Sequence, residues 1–476
     1  MQFISPLFLC FLPVVLALYY VTKPAFRWLV LLLSSLLFIG ILKPEALIVL
    51  VSFSAFTFYS GKLIQAGRKY RTFIFYSALV VQSLSLILLK YMESEQGVLK
   101  LVFEEEGYRA DVILLAAGFS FYTLQHMAYL ADIYYDRVQA DTKPLRFLLF
   151  SSFFAKFNSG PLEKAETLIA QFDRPPVSET LFLQGVQRIV LGFFKKMVLA
   201  DRLAPIVSRA FTAQAHHGSL AVATSVCLFT VQLYFDFSAY SDIAIGTAKL
   251  FGIELSENFD RPFASLSVSE FWRRWHITLI RWFSNYIYYP LVYHFRKNGK
   301  LAVITAIFAT FLISGLWHGI GKTFLIWSLL HAFYLSFESL TKNARLKWRH
   351  SVPATFYRAF SILTTFLLVC FSNLFFRSAD MHQAKQLLTQ LCSSPFGDQG
   401  FMNGFVSALA GGGYQEALFN FSVTVFLVLS FLFLEKKILA RANAGNRGYL
   451  QLFILLVLIF TFGVFKNASY FIYMQF

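Results

Sequence analysis

Apolar runs of nearly membrane-spanning length alternate along this chain with short polar, basic or proline-bearing breaks. Ile4 to Val21, Thr72 to Leu89, Ala359 to Phe375, Leu418 to Leu434 and Leu450 to Phe465 each predict a helix that crosses hydrocarbon, since roughly 20 apolar residues span it. Trp28 to Ile41 and Ala46 to Tyr59 predict a helical pair broken at Lys43-Pro44, because proline ends helices. The first run is read as a helix and not as a signal peptide. No basic segment precedes it, and Tyr19, Tyr20 and Lys23 make a poor cleavage site.

Other stretches break this regularity. Asp111 to Leu130 is less purely apolar and holds Gly118-Phe-Ser-Phe-Tyr-Thr-Leu-Gln125-His126, with Asp132, Tyr134 and Tyr135 at its end. A span that tolerates such residues faces other helices and not lipid. His126 is therefore read as a bundle-facing residue bonded to a neighbour, over the sharper reading of ligand or base. Phe147 to Phe154 is too short to span and runs into Asn158-Ser159-Gly160-Pro161. Gly185 to Leu203 interleaves apolar residues with Arg188, Lys195, Lys196 and Arg202, which predicts an interfacial helix with its basic side toward headgroups. Such short or re-entrant pieces are tolerated at membrane depth only inside protein or along a cavity. Leu220 to Leu233 predicts another span, ending in Tyr234-Phe-Asp236-Phe-Ser-Ala-Tyr-Ser-Asp242. Asp236 and Asp242 lack companions for a metal set and are read as partners of arginine or of backbone donors. Glu257 to Pro262 predicts a polar turn.

Composition agrees with the pattern. The 476 residues are 57% hydrophobic and 14% charged, with a mean hydropathy of +0.58, where a soluble chain carries roughly 25% charged residues. A net charge of +16 would fit nucleic-acid binding if it were gathered on one module, but it is spread over many short loops. It fits the positive-inside rule instead. The clusters Lys62 to Arg71, Lys342 to His350 and Lys436 to Arg447 then lie in the cytoplasm, and Glu93, Glu95 and Glu104 to Glu106 outside. Residues 378–416 read as an outer loop with short helices. The expectation is an all-α, polytopic membrane protein of about 10–12 crossings with both termini outside. One integral-membrane domain spans 1–476, with N-terminal helices 1–140, a motif-bearing core 141–340 and C-terminal helices 341–476. Cys10, Cys227, Cys370 and Cys392 suit neither a zinc site nor a disulfide framework.

The densest chemistry runs from Phe271 to His331. Phe271-Trp272-Arg273-Arg274-Trp275-His276 precedes the apolar run Leu301 to Ile313; Ser314-Gly315-Leu316-Trp317-His318-Gly319 follows, then Trp327 and His331. Ionisable groups within such runs are functional-site candidates. Known motifs for other chemistry are missing. Gly321-Lys322-Thr323 lacks the earlier glycine of a phosphate loop, where Leu316 stands, and no G-x-S-x-G or H-E-x-x-H is present. A neutral imidazole shielded from water can take a proton from a hydroxyl attacking an acyl group. Arginines can hold the phosphates of a nucleotide-bearing donor.

These residues carry a resemblance. Phe271 to Leu279, Ser314 to Gly319, Trp327 and His331 are similar to motifs of the membrane-bound O-acyltransferase family. The similarity is to its bacterial branch, which includes alginate O-acetyltransferase membrane subunits and teichoic-acid D-alanyl transfer proteins. Tyr234 to Gly246, Glu257 to Pro262, Gly118 to Gln125, Gly192 to Arg202 and Phe471 to Phe476 resemble other family segments, so the likeness covers nearly the whole chain. Ser159-Gly-Pro-Leu162 departs mildly from the family's Ala-Gly-Pro-Ile. The resemblance implies His318 as catalytic residue and His276 as a second important histidine toward the cytoplasmic end of a tunnel. At the end of an apolar run and next to a glycine, His318 is expected as an exposed residue near an outward-opening cavity. Trp272, Arg273, Arg274, Trp275, Trp317, Trp327, His331, Asp236 and Asp242 would line the donor and substrate path. It implies a ring of helices around a thin central region with cavities on both faces. It further implies transfer of an acyl group, foremost acetyl from acetyl-CoA with no permanently bound cofactor, from a cytoplasmic thioester to an extracytoplasmic polysaccharide. A periplasmic SGNH-hydrolase-like partner and the bacterial inner membrane belong to the same implication, and nucleic acid does not.

Three other readings stay open at this level: D-alanyl transfer to teichoic acid, a proton-coupled polytopic transporter, and a purely structural subunit of a polysaccharide synthase, in which His318 would be dispensable. The transporter reading predicts matching interrupted helices in two halves, and no internal repeat is visible. The charge pattern makes a direct prediction. A cysteine placed at 345 is protected from a membrane-impermeant reagent added outside, and one placed at 105 is labelled; the opposite pattern overturns this topology.

Overall fold

The computed structural model describes residues 3–42, 44–67, 69–93, 109–173, 178–211, 218–394, 414–441, 447–465 and 471. Regular structure in them is helical throughout. Glu95 and Glu104 to Glu106, the glycines 397 to 413 of the expected outer loop and the terminal string after Phe471 lie outside the described residues. In chain order the helices are α1 Pro6–Val21, α2 Arg27–Leu42, α3 Pro44–Ala66, α4 Arg71–Glu93, α5 Arg109–Tyr134, α6 Pro144–Ser152, α7 Ala165–Ile169, α8 Glu179–Phe194, α9 Asp201–Phe211 and α10 Ser219–Leu250. They continue with α11 Val268–Arg274, α12 Ile277–Phe283, α13 Tyr289–His294, α14 Lys300–His318, α15 Lys322–Leu340, α16 Lys342–Ser351, α17 Ala354–Arg377, α18 Met381–Leu391, α19 Tyr414–Arg441 and α20 Arg447–Phe462.

Among the described residues, eight helices are long and apolar enough to cross a membrane, and α1 and α20 contribute shorter apolar segments. Many of their phenylalanines and leucines, such as Phe426, Leu429, Phe433 and Phe460, are exposed. Such rows are stable only against lipid, so the chain is a multi-pass membrane protein.

Two compact units divide the chain: Met1–Gly192, Tyr240–Glu257 and Tyr473–Phe476 form one, and Phe193–Ala239 with Asn258–Ile472 the other. In the first unit, Ser5 caps α1 by accepting from Phe8 N–H, and Pro44 opens α3 at a position where its missing N–H costs nothing. The nine residues of α6 are largely buried, with Phe147 and Phe150 fully so. His126 is buried and bonded through both ring nitrogens, to Thr57 Oγ1 at 3.1 Å and Ser151 Oγ at 2.7 Å. It is a bundle-facing brace, as its polar neighbours in sequence imply.

Gly185 on α8 meets Gly246 on α10 so closely that a Cβ on Gly246 would lie 2.6 Å from the Gly185 carbonyl oxygen. Beside this crossing Arg188 donates from Nε to Asp242 at 2.6 Å and from both terminal nitrogens to Glu257 at 3.0 and 2.6 Å. That corrects one expectation, because Arg188 turns inward to carboxylates and not outward to headgroups.

The second unit corrects it further. The segment after α8 is a π-helix, Lys195–Ala200, and both of its lysines are buried. Lys196 Nζ lies 2.8 Å from Asp236 and 2.9 Å from Asp201. Lys195 lies 3.9 Å from Glu435, which also accepts from the Tyr234 hydroxyl. A charge in hydrocarbon is stable only when paired, and each of these is. The Tyr234 to Asp242 string is not the end of a span. It lies inside the 32-residue α10, where its aspartates face lysine and arginine.

Gly246→Val is expected to overpack the α8–α10 crossing and cost about 1–3 kcal/mol, read as a lowered midpoint of thermal unfolding in detergent. An unchanged midpoint would show that the two backbones can part freely.

Candidate functional site

Most of the predicted site residues meet in the second unit, and α11 sets their frame. Its Ser267 cap accepts from Glu270 N–H at 3.1 Å, and Glu270 accepts from Leu266 N–H at 2.8 Å. Glu338 at the end of α15 accepts from Val268 N–H at 2.7 Å and Ser269 N–H at 3.0 Å. A helix of seven residues has few internal bonds, so these caps hold it.

Its two arginines part company. Arg274 is held by Glu270 at 2.8 Å and lies 3.5 Å from Asp260, and Asp260 N–H in turn bonds the Arg274 carbonyl at 2.9 Å. Arg273 is exposed and lines a cavity of about 790 Å³. Burial opposes ionisation of Glu270, but the Leu266 N–H and the Arg274 guanidinium outweigh it and hold its carboxyl below the usual range.

The chain turns sharply after α11. His276 takes left-handed backbone angles, φ 46° and ψ 50°, a conformation that costs most residues about 1–2 kcal/mol and is found in histidine more often than in most. The turn is held by Ile277 N–H on the Asn258 carbonyl at 2.9 Å. Asn258 Oδ1 lies 3.1 Å from His276 Nδ1 and accepts from Thr278 N–H at 3.2 Å and Thr278 Oγ1 at 2.9 Å. The imidazole is buried, and burial lowers its pKa to about 3, so it is neutral.

His318 ends α14, where Gly319 caps the helix and leads through Gly321 into α15. A Cβ at Gly319 would lie 2.5 Å from the Phe324 ring, and one at Gly315 2.7 Å from Ser328 Oγ, so small residues let the two helices close on each other. His318 is buried, contrary to the expectation of an open cavity residue, and rings surround it. Its centroid lies 4.8 Å from Trp317, 5.2 Å from Trp327 and 5.2 Å from Phe376.

Trp327 also touches His331, 5.1 Å between centroids. His331 Nδ1 accepts from the Trp272 indole N–H at 3.3 Å, and Trp272 with Phe311 lines the cavity. On the other side Trp272 continues through Phe271, Trp275, Phe259 and Phe237 to His276 in unbroken ring contacts. The two histidines of the predicted pair are therefore the ends of one aromatic path.

Two site features escaped the sequence reading. Lys342 and Arg345 line the cavity beside Arg273, though they read as ordinary loop charges; their spacing after Glu338 puts all three on one face, which is the signal that was available. Asn258 lay in a quoted motif without a role. Asp242 bonds an arginine, Arg188, as its sequence setting implied, and Asp236 meets Lys196.

The described residues of this polytopic helical bundle thus hold buried histidines on one aromatic path beside a cavity lined by Arg273, Lys342 and Arg345. The profile of the membrane-bound O-acyltransferase family matches residues 134–375. Relatives agree: the probable alginate O-acetylase of Pseudomonas aeruginosa is 33% identical over 83% of this chain and 75% of its own length. The peptidoglycan O-acetyltransferase of Helicobacter pylori is 30% identical over 81% and 79%, and the teichoic acid D-alanyltransferase of Bacillus subtilis 28% over 50% and 62%. The chain belongs to the membrane-bound O-acyltransferase family and is an O-acyltransferase. The transporter reading is set aside.

Glu338→Ala removes two charge-assisted caps from α11, each worth about 1.5–3 kcal/mol. The expected outcome is a lowered unfolding midpoint together with weakened donor binding, since Trp272 and Arg273 ride on that helix. Unaltered values of both would show that α11 stands without the cap.

Proposed function

We propose that the protein moves an acyl group, foremost acetyl, from a cytoplasmic thioester such as acetyl-CoA to hydroxyls of an extracytoplasmic polysaccharide or cell-envelope polymer. It does so in the bacterial inner membrane, with a periplasmic SGNH-hydrolase-like partner completing the transfer. The observation that carries this reading is the cavity of about 790 Å³. Its cations Arg273, Lys342 and Arg345 outnumber Glu338, whose carboxylate is occupied by backbone N–H groups. Its inner wall, Trp272, is bonded to His331 and so joins the path to His318.

Diphosphate oxygens suit such a cluster, and the pantetheine arm would run along the apolar wall of Phe283, Ile307 and Phe311. In the transfer, His318 takes the proton of the attacking hydroxyl, the new ester C–O bond forms as the C–S bond breaks, and the proton passes on to the leaving thiolate. General-base assistance of this kind contributes on the order of 10²–10⁴-fold.

Acetyl is favoured over D-alanyl because the O-acetylating relatives align over most of this chain, while the D-alanyltransferase aligns over 50% of it. The polymer acceptor is carried over from the same names, which point to polysaccharide and cell-wall polymers.

Purified protein given radiolabelled acetyl-CoA is expected to transfer or hydrolyse the acetyl group, and His318→Ala to abolish this while still inserting in the membrane. Arg273→Ala should weaken donor binding by roughly 1.5–3 kcal/mol, one charge-assisted contact, with little change in the rate of a bound donor. Near-normal acylation by His318→Ala would overturn the mechanism, and undiminished donor affinity in Arg273→Ala would overturn the cavity's role.

A further inference from the structure

The geometry points to Asn258 as a positioning residue that fixes which nitrogen of His276 carries the proton, and so presents the other as the ring's basic atom. This rests on the reading of His276 as part of the transfer site. The orientation of the Asn258 amide is settled by a backbone group: Thr278 N–H can only donate, so the atom 3.2 Å from it is the amide oxygen. The Thr278 hydroxyl donates to the same oxygen at 2.9 Å.

An amide oxygen has no proton to give. The His276 Nδ1 atom, 3.1 Å from it, must therefore be the protonated nitrogen. A neutral imidazole carries one N–H, so the lone pair resides on Nε2. Were the proton on Nε2, Nδ1 and the amide oxygen would face each other as two acceptors.

The local fold is built to keep this relation. Ile277 N–H bonds the Asn258 carbonyl and Asp260 N–H bonds the Arg274 carbonyl, both at 2.9 Å, which ties the loop to the α11–α12 turn on either side of His276. His276 itself is the left-handed residue of that turn, so its ring direction is set by the same two bonds. Phe237 of α10 and Asn258 of the loop face the ring, and neither is charged. Burial is the main influence on the ring's basicity, with a hydrogen bond to its own backbone opposing.

The test uses the intact protein in lipid nanodiscs with radiolabelled acetyl-CoA, measuring kcat, KM and their pH profiles. Asn258→Leu removes the acceptor and is expected to lower kcat on the order of 10²-fold with KM for acetyl-CoA little changed. Asn258→Asp keeps an oxygen at the same place and adds a charge that favours the imidazolium. Its kcat is expected to recover toward the parent value at high pH, with the acid limb moved up by roughly one pH unit. A purely structural asparagine would give no such shift. Should Asn258→Leu fail to fold, the Asn258→Asp profile decides by itself: an acid limb identical to the parent's overturns the proposal. His276→Gln is run beside them. Full activity there would instead remove His276 from the transfer site, an outcome distinct from an inert Asn258 beside an essential His276.

Discussion

Pairing the charges buried among its helices is the constraint on which this fold depends. Lys196 is the extreme case, a fully buried ammonium clasped between Asp236 and Asp201. Taking such an ion out of water costs several kcal/mol, recovered only by close opposite charge. Those pairs cross-link segments far apart in sequence: Asp236 sits 40 residues from Lys196, and Glu435, bonded to Tyr234, lies 201 residues from it. Removing one partner would strand the other, so the pairs act as latches that specify which helices meet. The π-helical turn at 195–200 serves the same end, since its altered register lets both consecutive lysines reach carboxylates on different helices.

Within that latched frame the site is assembled from short pieces. The α11–α12 turn is irregular and tied at four points, by Ser267, Glu338, Asn258 and Asp260. The α14–α15 hairpin is regular and close, made so by Gly315 and Gly319. One element is fixed by hydrogen bonds and the other by the absence of side chains. Trp272 of the first and His331 of the second meet between them, so the two kinds of rigidity converge at one contact.

The spans were legible because a bilayer imposes one period and one length on any sequence that crosses it. The paired motifs around His276 and His318 were legible because tryptophan and histidine rarely stand together in apolar runs. What was misread has a single physical origin. A helix that mixes lysine with phenylalanine has the same composition whether its charges face headgroups or buried carboxylates, and only the distant partners tell the two apart. Arg188, Lys195 and Lys196 were assigned outward for that reason. The openness of His318 was misjudged in the same way, for the ring that seals it, Phe376, lies on α17 some way along the chain. Lys342 and Arg345 looked like loop charges, because the cavity they border is closed by Trp272 and Tyr288 from another part of the chain.

Under the proposed function a thioester held at membrane depth must be kept from water, and the aromatic path between the two histidines suits that task. Between His276 and His318 the path is made of tryptophan and phenylalanine rings about 5–6 Å apart, edge-to-face except for the stacked Phe271–Trp275 pair. Apolar rings offer water few partners. The indole N–H of Trp272 is held by His331, which keeps this wall from turning that polar edge toward the cavity. A neutral imidazole suits apolar surroundings, as at His276; a carboxylate there would need a cation beside it, and that pair would draw in water.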